Sequence, residues 1–226
     1  MSNIAPPGSD EGLVSVPVDS VVLEGNLVLP AVAQAVVLFA HGSGSSRHSP
    51  RNRYVARELR QGGLGTFLID LLTPQEETID LRTRQFRFDI GLLATRLVSA
   101  TDWLTQQPLT RQLKIGYFGA STGAAAALVA AARRPQAVSA IVSRGGRPDL
   151  AGSALPLVQA PTLLIVGGYD FPVISMNQEA LTQLRAEKRL EIIPGATHLF
   201  EEPGALEKVA QLARDWFEHY MIIATP

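Results

Sequence analysis

Residues 113–132 read LKIGYFGASTGAAAALVAAA. Leu113 to Phe118 is a short apolar run and Ala124 to Ala132 is rich in alanine, the best helix former; between them Gly119, Ala120, Ser121, Thr122 and Gly123 spell GxSxG. A serine on a sharp strand-to-helix turn is held with its hydroxyl exposed above a sheet, which is the nucleophile elbow of an acyl-transfer enzyme. Ser121 is therefore the candidate nucleophile. The turn strains the serine backbone, so the residues two before and two after it must lack bulk for strand and helix to approach. GxSxG alone is short enough to occur by chance, and its position at a strand-to-helix junction is what gives it meaning here.

A serine hydroxyl needs a base to take its proton and a third group to hold that base in the right tautomer. The chain has four histidines. The order that accompanies such an elbow is serine, acid, histidine, which excludes His41 and His48 and leaves His198 and His219. His219 falls in the last turns of an amphipathic helix marked by Leu206, Val209, Ala213, Trp216 and Tyr220, where a solvated role is expected. His198 instead follows the short strand Leu190 to Ile193 in the loop Gly195, Ala196, Thr197, His198, and is the candidate base. The acid must lie between Ser121 and His198 at a strand end. Asp170, carried off the run Pro161 to Val166 by Gly167, Gly168 and Tyr169, is favoured; Asp149, after the run Ala137 to Val142, is the alternative. Asp170 has a structural reading too, as the cap of a helix starting near Ser175.

The oxyanion of a tetrahedral intermediate needs donors aimed at it, each contributing about 3 kcal/mol. One is expected to be the backbone N–H of Thr122, the residue after the nucleophile. The second is expected from the loop after an early strand: Ala35 to Ala40 ends in His41, Gly42, Ser43, Gly44, Ser45 and Ser46, and the backbone N–H of Ser43 is the candidate. A phosphate-binding loop is the competing reading of these glycines, but neither GxxxxGK[ST] nor GxGxxG follows a strand anywhere in the chain.

These motifs resemble an α/β-hydrolase of the dienelactone hydrolase-like group, over nearly the whole chain. The resemblance is carried by HGSGSSRHSPRN (His41 to Asn52), GYFGASTG (Gly116 to Gly123), GGYD (Gly167 to Asp170) and GATH (Gly195 to His198). It implies the fold and the triad geometry. Dienelactone hydrolases proper carry cysteine at the elbow, whereas this chain has no cysteine; the resemblance therefore implies a serine esterase or related acyl hydrolase rather than the dienelactone substrate itself.

The organisation agrees. Val14 to Val18 and Val21 to Leu29 suggest an N-terminal antiparallel hairpin, after which strands and helices alternate, implying an α/β fold with a mostly parallel central sheet and helices on both faces. Ser49 and Pro50 suit a helix start, Gly62 and Gly63 its end, and Thr66 to Ile69 the next strand. Phe86, Ile90, Leu93, Leu97 and Leu104 mark one face of a long helix ending before Pro108, with Arg84, Arg87 and Arg96 expected on its solvated side. Between the strands ending near Ser143 and starting near Pro161 there is too little chain for a helical cap domain, so an open site is expected. We read residues 1–226 as a single α/β-hydrolase domain, with 1–12 as a flexible N-terminal segment.

A formal net charge of -1 offers no basic field for nucleic acid or an anionic membrane, and 46% hydrophobic residues suffice for a sizeable core. Met1 to Gly12 has neither a basic start nor an apolar stretch, and no apolar run approaches the roughly 20 residues of a spanning helix. A cytoplasmic protein acting on a small-molecule ester or lactone is expected, with self-association left open and neither cofactor nor metal required. His41, Gly42, Arg144 and Arg147 are candidate substrate-binding residues, an arginine fork being matched to a substrate carboxylate; the bland reading of the arginines is bonding to loop carbonyls or Asp149. Asp70 is read as structural. The same triad could serve acyl transfer or carbon-carbon bond hydrolysis, and a non-catalytic binding protein of this fold is the third class.

Overall fold

The computed structural model describes residues 12–222. Eight strands form one sheet in the order β1-β2-β4-β3-β5-β6-β7-β8. β1 (Leu13–Val18) and β2 (Val21–Val28) make the expected antiparallel hairpin, and β2 pairs antiparallel with β4 (Gly65–Ile69). From there β3 (Ala35–Ala40), β5 (Lys114–Ala120), β6 (Val138–Arg144), β7 (Thr162–Gly167) and β8 (Lys188–Ile193) run parallel. β3, β4 and β7 are buried along their whole length, as strands covered on both faces must be.

Two apolar clusters lie on opposite faces of this sheet. On one, α3 (Ile90–Gln106) and α4 (Thr122–Arg133) pack through Leu93, Leu97, Leu104 and Leu128; on the other, α1 (Pro50–Gln61) and α6 (Ala205–Met221) pack through Val55, Leu59, Val209 and Phe217. Ser49 caps α1 through Asn52 N–H, with Pro50 in the first turn. α5 (Phe171–Gln183) follows β7, and between β6 and β7 there is only a kinked 3₁₀ segment, Pro148–Leu157. No cap domain stands there. The flexible segment expected at residues 1–12 lies, apart from Gly12, outside the described residues.

Two expectations are corrected. The long helix begins at Ile90, not near Phe86, because α2 (Pro74–Thr83) precedes it, started by a capping box between Thr73 and Glu76. Arg84 and Arg87 thus lie outside α3: Arg84 ends α2 in the left-handed region (φ 56), and Arg87 is bonded to the buried Asp80. Arg96 does lie on α3 but is buried rather than solvated; its guanidinium meets Glu76 in two bonds, at 2.8 and 2.5 Å, and also donates to the Leu71 carbonyl. A buried cation is tolerable only when paired in this way.

Candidate active site

Parallel register brings the candidate residues together. Ala120 stands opposite Arg144 and Gly167 opposite Ile193, so the loops that leave β5, β6, β7 and β8 emerge at one edge of the sheet. This carboxyl edge is where open α/β sheets bind ligands.

Ser121 sits between β5 and α4 with φ 50 and ψ -122, a strained conformation for a residue with a side chain. The flanking glycines permit it. A Cβ on Gly119 would lie 2.4 Å from the Ala124 Cα, and one on Gly123 would lie 2.2 Å from the Ala40 carbonyl oxygen. The second distance also explains why the His41–Ser46 loop touches the elbow: β3 can come this close only against glycine. We therefore expect Gly123→Ala to yield little soluble protein, or a melting temperature lowered by at least about 10 °C, since the loss is of the several-kcal/mol kind that backbone overlap brings; thermal unfolding by circular dichroism checks this.

The carboxylate Oδ2 of Asp170 lies 2.6 Å from Nδ1 of His198. Asp170 precedes α5 but makes no side-chain cap bond to it, so its carboxylate is turned to the imidazole instead. With Nδ1 engaged, Nε2 is the ring nitrogen left for another partner. The loop after β6 lies between this pair and the elbow: the Ser121 N–H donates to the Arg144 carbonyl at 3.2 Å, and a Cβ on the next residue, Gly145, would lie 3.4 Å from His198 Cε1. Asp149, the alternative acid, is bonded to Arg147 at 2.9 and 2.7 Å. Ser121 Oγ makes no hydrogen bond among the described residues.

The Thr122 N–H, in the first turn of α4, has no partner among the described residues and carries the positive end of the helix dipole. The Ser43 N–H donates to Thr122 Oγ1 at 2.9 Å. Sequence reasoning missed this use of the threonine side chain, which no local pattern signals. His41 is buried, with Nδ1 2.9 Å from the Gly42 carbonyl and Nε2 accepting from the Leu71 N–H at 3.0 Å. Burial holds its pKa below the ordinary value. Both ring nitrogens face main chain, so His41 fixes the loop, and it also lines the cleft beside Ser43. Asp70 accepts from Arg47, in keeping with a structural role.

Beside Thr122 and Ser43 opens a cleft of about 190 Å³ walled by Leu71, Leu72, Leu81 and Leu93, with Glu77 and the Asp80–Arg87 pair among its polar groups; Gly42 also lines it. Burial, then the nearby Asp70, raises the Glu77 carboxyl above its usual range. Of the arginines after β6, Arg147 has its fork on Asp149, while Arg144 is buried beside the Phe200 ring. Among the described residues Arg144 donates only to Asn52 Oδ1, at 3.4 Å, and its Nε and Nη1 have no partner. Burial, with Arg51 nearby, brings its pKa down to about 10. Neither arginine lines the cleft.

The sequence profile of the dienelactone hydrolase family matches residues 23–221. The chain belongs to the dienelactone hydrolase family. It is 72% identical to a dienelactone hydrolase from Anabaena variabilis whose crystal structure superposes with a TM-score of 0.92, covering 93% of this chain and 98% of that one. A lidless α/β serine hydrolase from Xanthomonas campestris shares the fold at 20% identity, with a TM-score of 0.75 over 98% of this chain and all (100%) of that chain. A Mycobacterium tuberculosis protein with the provisional name phosphoribosyl transferase is 58% identical over 212 residues, which are 94% of this chain and 47% of that protein. The chain thus spans about half the length of the curated relatives it matches. Among the described residues no helix is long and apolar enough to cross a membrane.

Proposed function

We propose that this domain is a serine hydrolase that cleaves a small carboxylic ester or lactone through an acyl-enzyme on Ser121. The observation that carries the reading is the strained serine at the strand-to-helix turn, with a carboxylate-bound imidazole across the Gly145 loop. Ser121 Oγ attacks the carbonyl carbon as its proton passes to His198 Nε2, and Asp170 holds Nδ1–H and stabilises the imidazolium. Collapse of the tetrahedral intermediate breaks the ester bond, and Nε2 returns the proton to the departing alkoxide. Water, deprotonated by the same nitrogen, then releases the acid. The apolar leucine wall suits a small acyl or alkoxy group. Arg147, held on Asp149, is assigned no substrate carboxylate.

The oxyanion is held by the Thr122 N–H and by a second donor that we place on the Thr122 hydroxyl. The Ser43 amide, the donor expected from sequence, acts through it: its N–H donates to Oγ1, and that oxygen's own proton is then directed at the oxyanion, strengthened by the bond it accepts. Thr122→Val should lower kcat by about 10²-fold with KM nearly unchanged, the usual loss for one oxyanion donor, and Thr122→Ser should keep most of the activity. A valine variant as fast as the parent would return the role to the Ser43 amide itself.

Purified protein should hydrolyse short-chain nitrophenyl esters or simple lactones and be labelled by a fluorophosphonate probe. Failure of both would remove the proposal. The acyl-transfer alternative is separated by product analysis in the presence of an added alcohol acceptor: free acid as the sole product supports hydrolysis, and a transferred acyl group overturns it.

A further inference from the structure

We propose that the groove between α1 and strands β2 and β4 is a binding site for a phosphate-bearing ligand. It is a cavity of about 470 Å³, larger than the cleft beside Ser43, and falls in the range typical of small-molecule sites. Its wall includes Arg47, Arg53, Arg57, Arg60, His48 and Tyr54, and no carboxylate among the described residues lines it. The chain as a whole carries a formal net charge of -1, so this density of arginine is local and not a reflection of a basic protein.

The arrangement is built from α1. Arg53, Arg57 and Arg60 are four and three residues apart and form one stripe along the helix, where neighbouring like charges repel unless something anionic lies between them. Arg53 has no side-chain partner among the described residues. Arg57 lies over the Tyr54 ring, 5.1 Å from its centroid, and meets a carboxylate only at Glu58, 3.5 Å away. Arg60 donates to Thr66 Oγ1 at 3.1 Å. Arg47 differs: Asp70, Glu24 (2.8 Å) and Asn26 Oδ1 (3.1 Å) fix it in place, so it forms a rigid, neutralised side of the groove. Asp70 and Glu24 are thus engaged on Arg47 and Glu58 on Arg57, while Glu207 acts on Tyr54 from outside the lining, leaving the Arg53 fork and most of the Arg57 fork for a ligand. Several forked cations converging on one concave site suit phosphoryl oxygens, which accept paired N–H bonds.

The site is coupled to the cleft through one loop. Arg47, His48 and Pro50 line the groove, and Gly42 to Ser46 line the cleft. A phosphate in the groove is either the tail of the substrate itself or a separate ligand that stiffens the loop from behind.

Calorimetric titration of the intact chain with inorganic pyrophosphate at fixed ionic strength tests the site, because exposed electrostatics otherwise follow the salt. One saturable site is expected, weakened about 100-fold by Arg53→Gln/Arg57→Gln, roughly tenfold for each guanidinium removed from the phosphoryl oxygens. Both side chains are exposed, and the double variant should melt as the parent does and hydrolyse a neutral nitrophenyl ester equally well. Absence of saturable binding at about 10 mM pyrophosphate, or equal affinity in the double variant, overturns the proposal. A second arm compares hydrolysis of acyl-coenzyme A with that of the matching acyl-pantetheine: loss confined to the coenzyme A thioester in the double variant assigns the phosphate to the substrate, and an unchanged ratio in a double variant that has lost the parent's pyrophosphate binding assigns it to a separate ligand. The titration involves no catalytic step, so its answer stands whether or not Ser121 is a nucleophile.

Discussion

Ser121→Ala is expected to lower the turnover of a hydrolysed nitrophenyl ester by about 10⁴- to 10⁶-fold and to abolish fluorophosphonate labelling. The size follows from the loss of the covalent route: without the hydroxyl, water must attack with no fixed nucleophile, and only the oxyanion donors and substrate binding remain. KM should change little, because the hydroxyl contributes to the transition state more than to substrate binding. Alanine also accepts the strained φ of 50 no worse than serine, so the variant should fold, and its melting temperature should stay close to the parent's. A variant with unchanged turnover would move the chemistry off the elbow altogether.

Asp170→Asn is expected to lower kcat by about 10⁴-fold, the loss seen when the amide allows the wrong imidazole tautomer and no longer stabilises the imidazolium. The control is Asp149→Asn. Asp149 is bonded to Arg147 and not to His198, so its loss should cost less than about tenfold. Measured side by side on one nitrophenyl ester, the two variants assign the acid. The reverse order of effects would place it on the β6 loop and leave the His198–Asp170 bond a structural one.

The expectations that held were those with a local cause. The GxSxG turn is readable because strain at one residue demands absent side chains at two others, and both absences are written in the sequence. The hairpin, the Ser49–Pro50 start of α1 and the parallel core follow from periodicity and capping chemistry over a few residues. Even α2, which hydrophobic periodicity does not reveal, carries a local signal in Thr73 and Glu76, the two halves of its capping box. Arg96 is misplaced by sequence reasoning because periodicity reports the face of a helix and not what a neighbouring element lays over it. Here α2 supplies Glu76, and the pair buries a cation that composition alone would leave in water.

The amino-acid sequence by itself determined the alternation of strands and helices apart from α2, the elbow at Ser121 and the loops that carry His41–Ser46, Asp170 and His198, since each rests on neighbours along the chain. Only the tertiary structure decided that Asp170 and not Asp149 meets the imidazole, that Thr122 Oγ1 takes the Ser43 N–H, and that arginines from α1 and the loop before it share one groove. Those pairings join residues far apart in sequence. They depend on the order and register of strands in the sheet, and distances between side chains on different strands leave no periodic trace in the chain that encodes them.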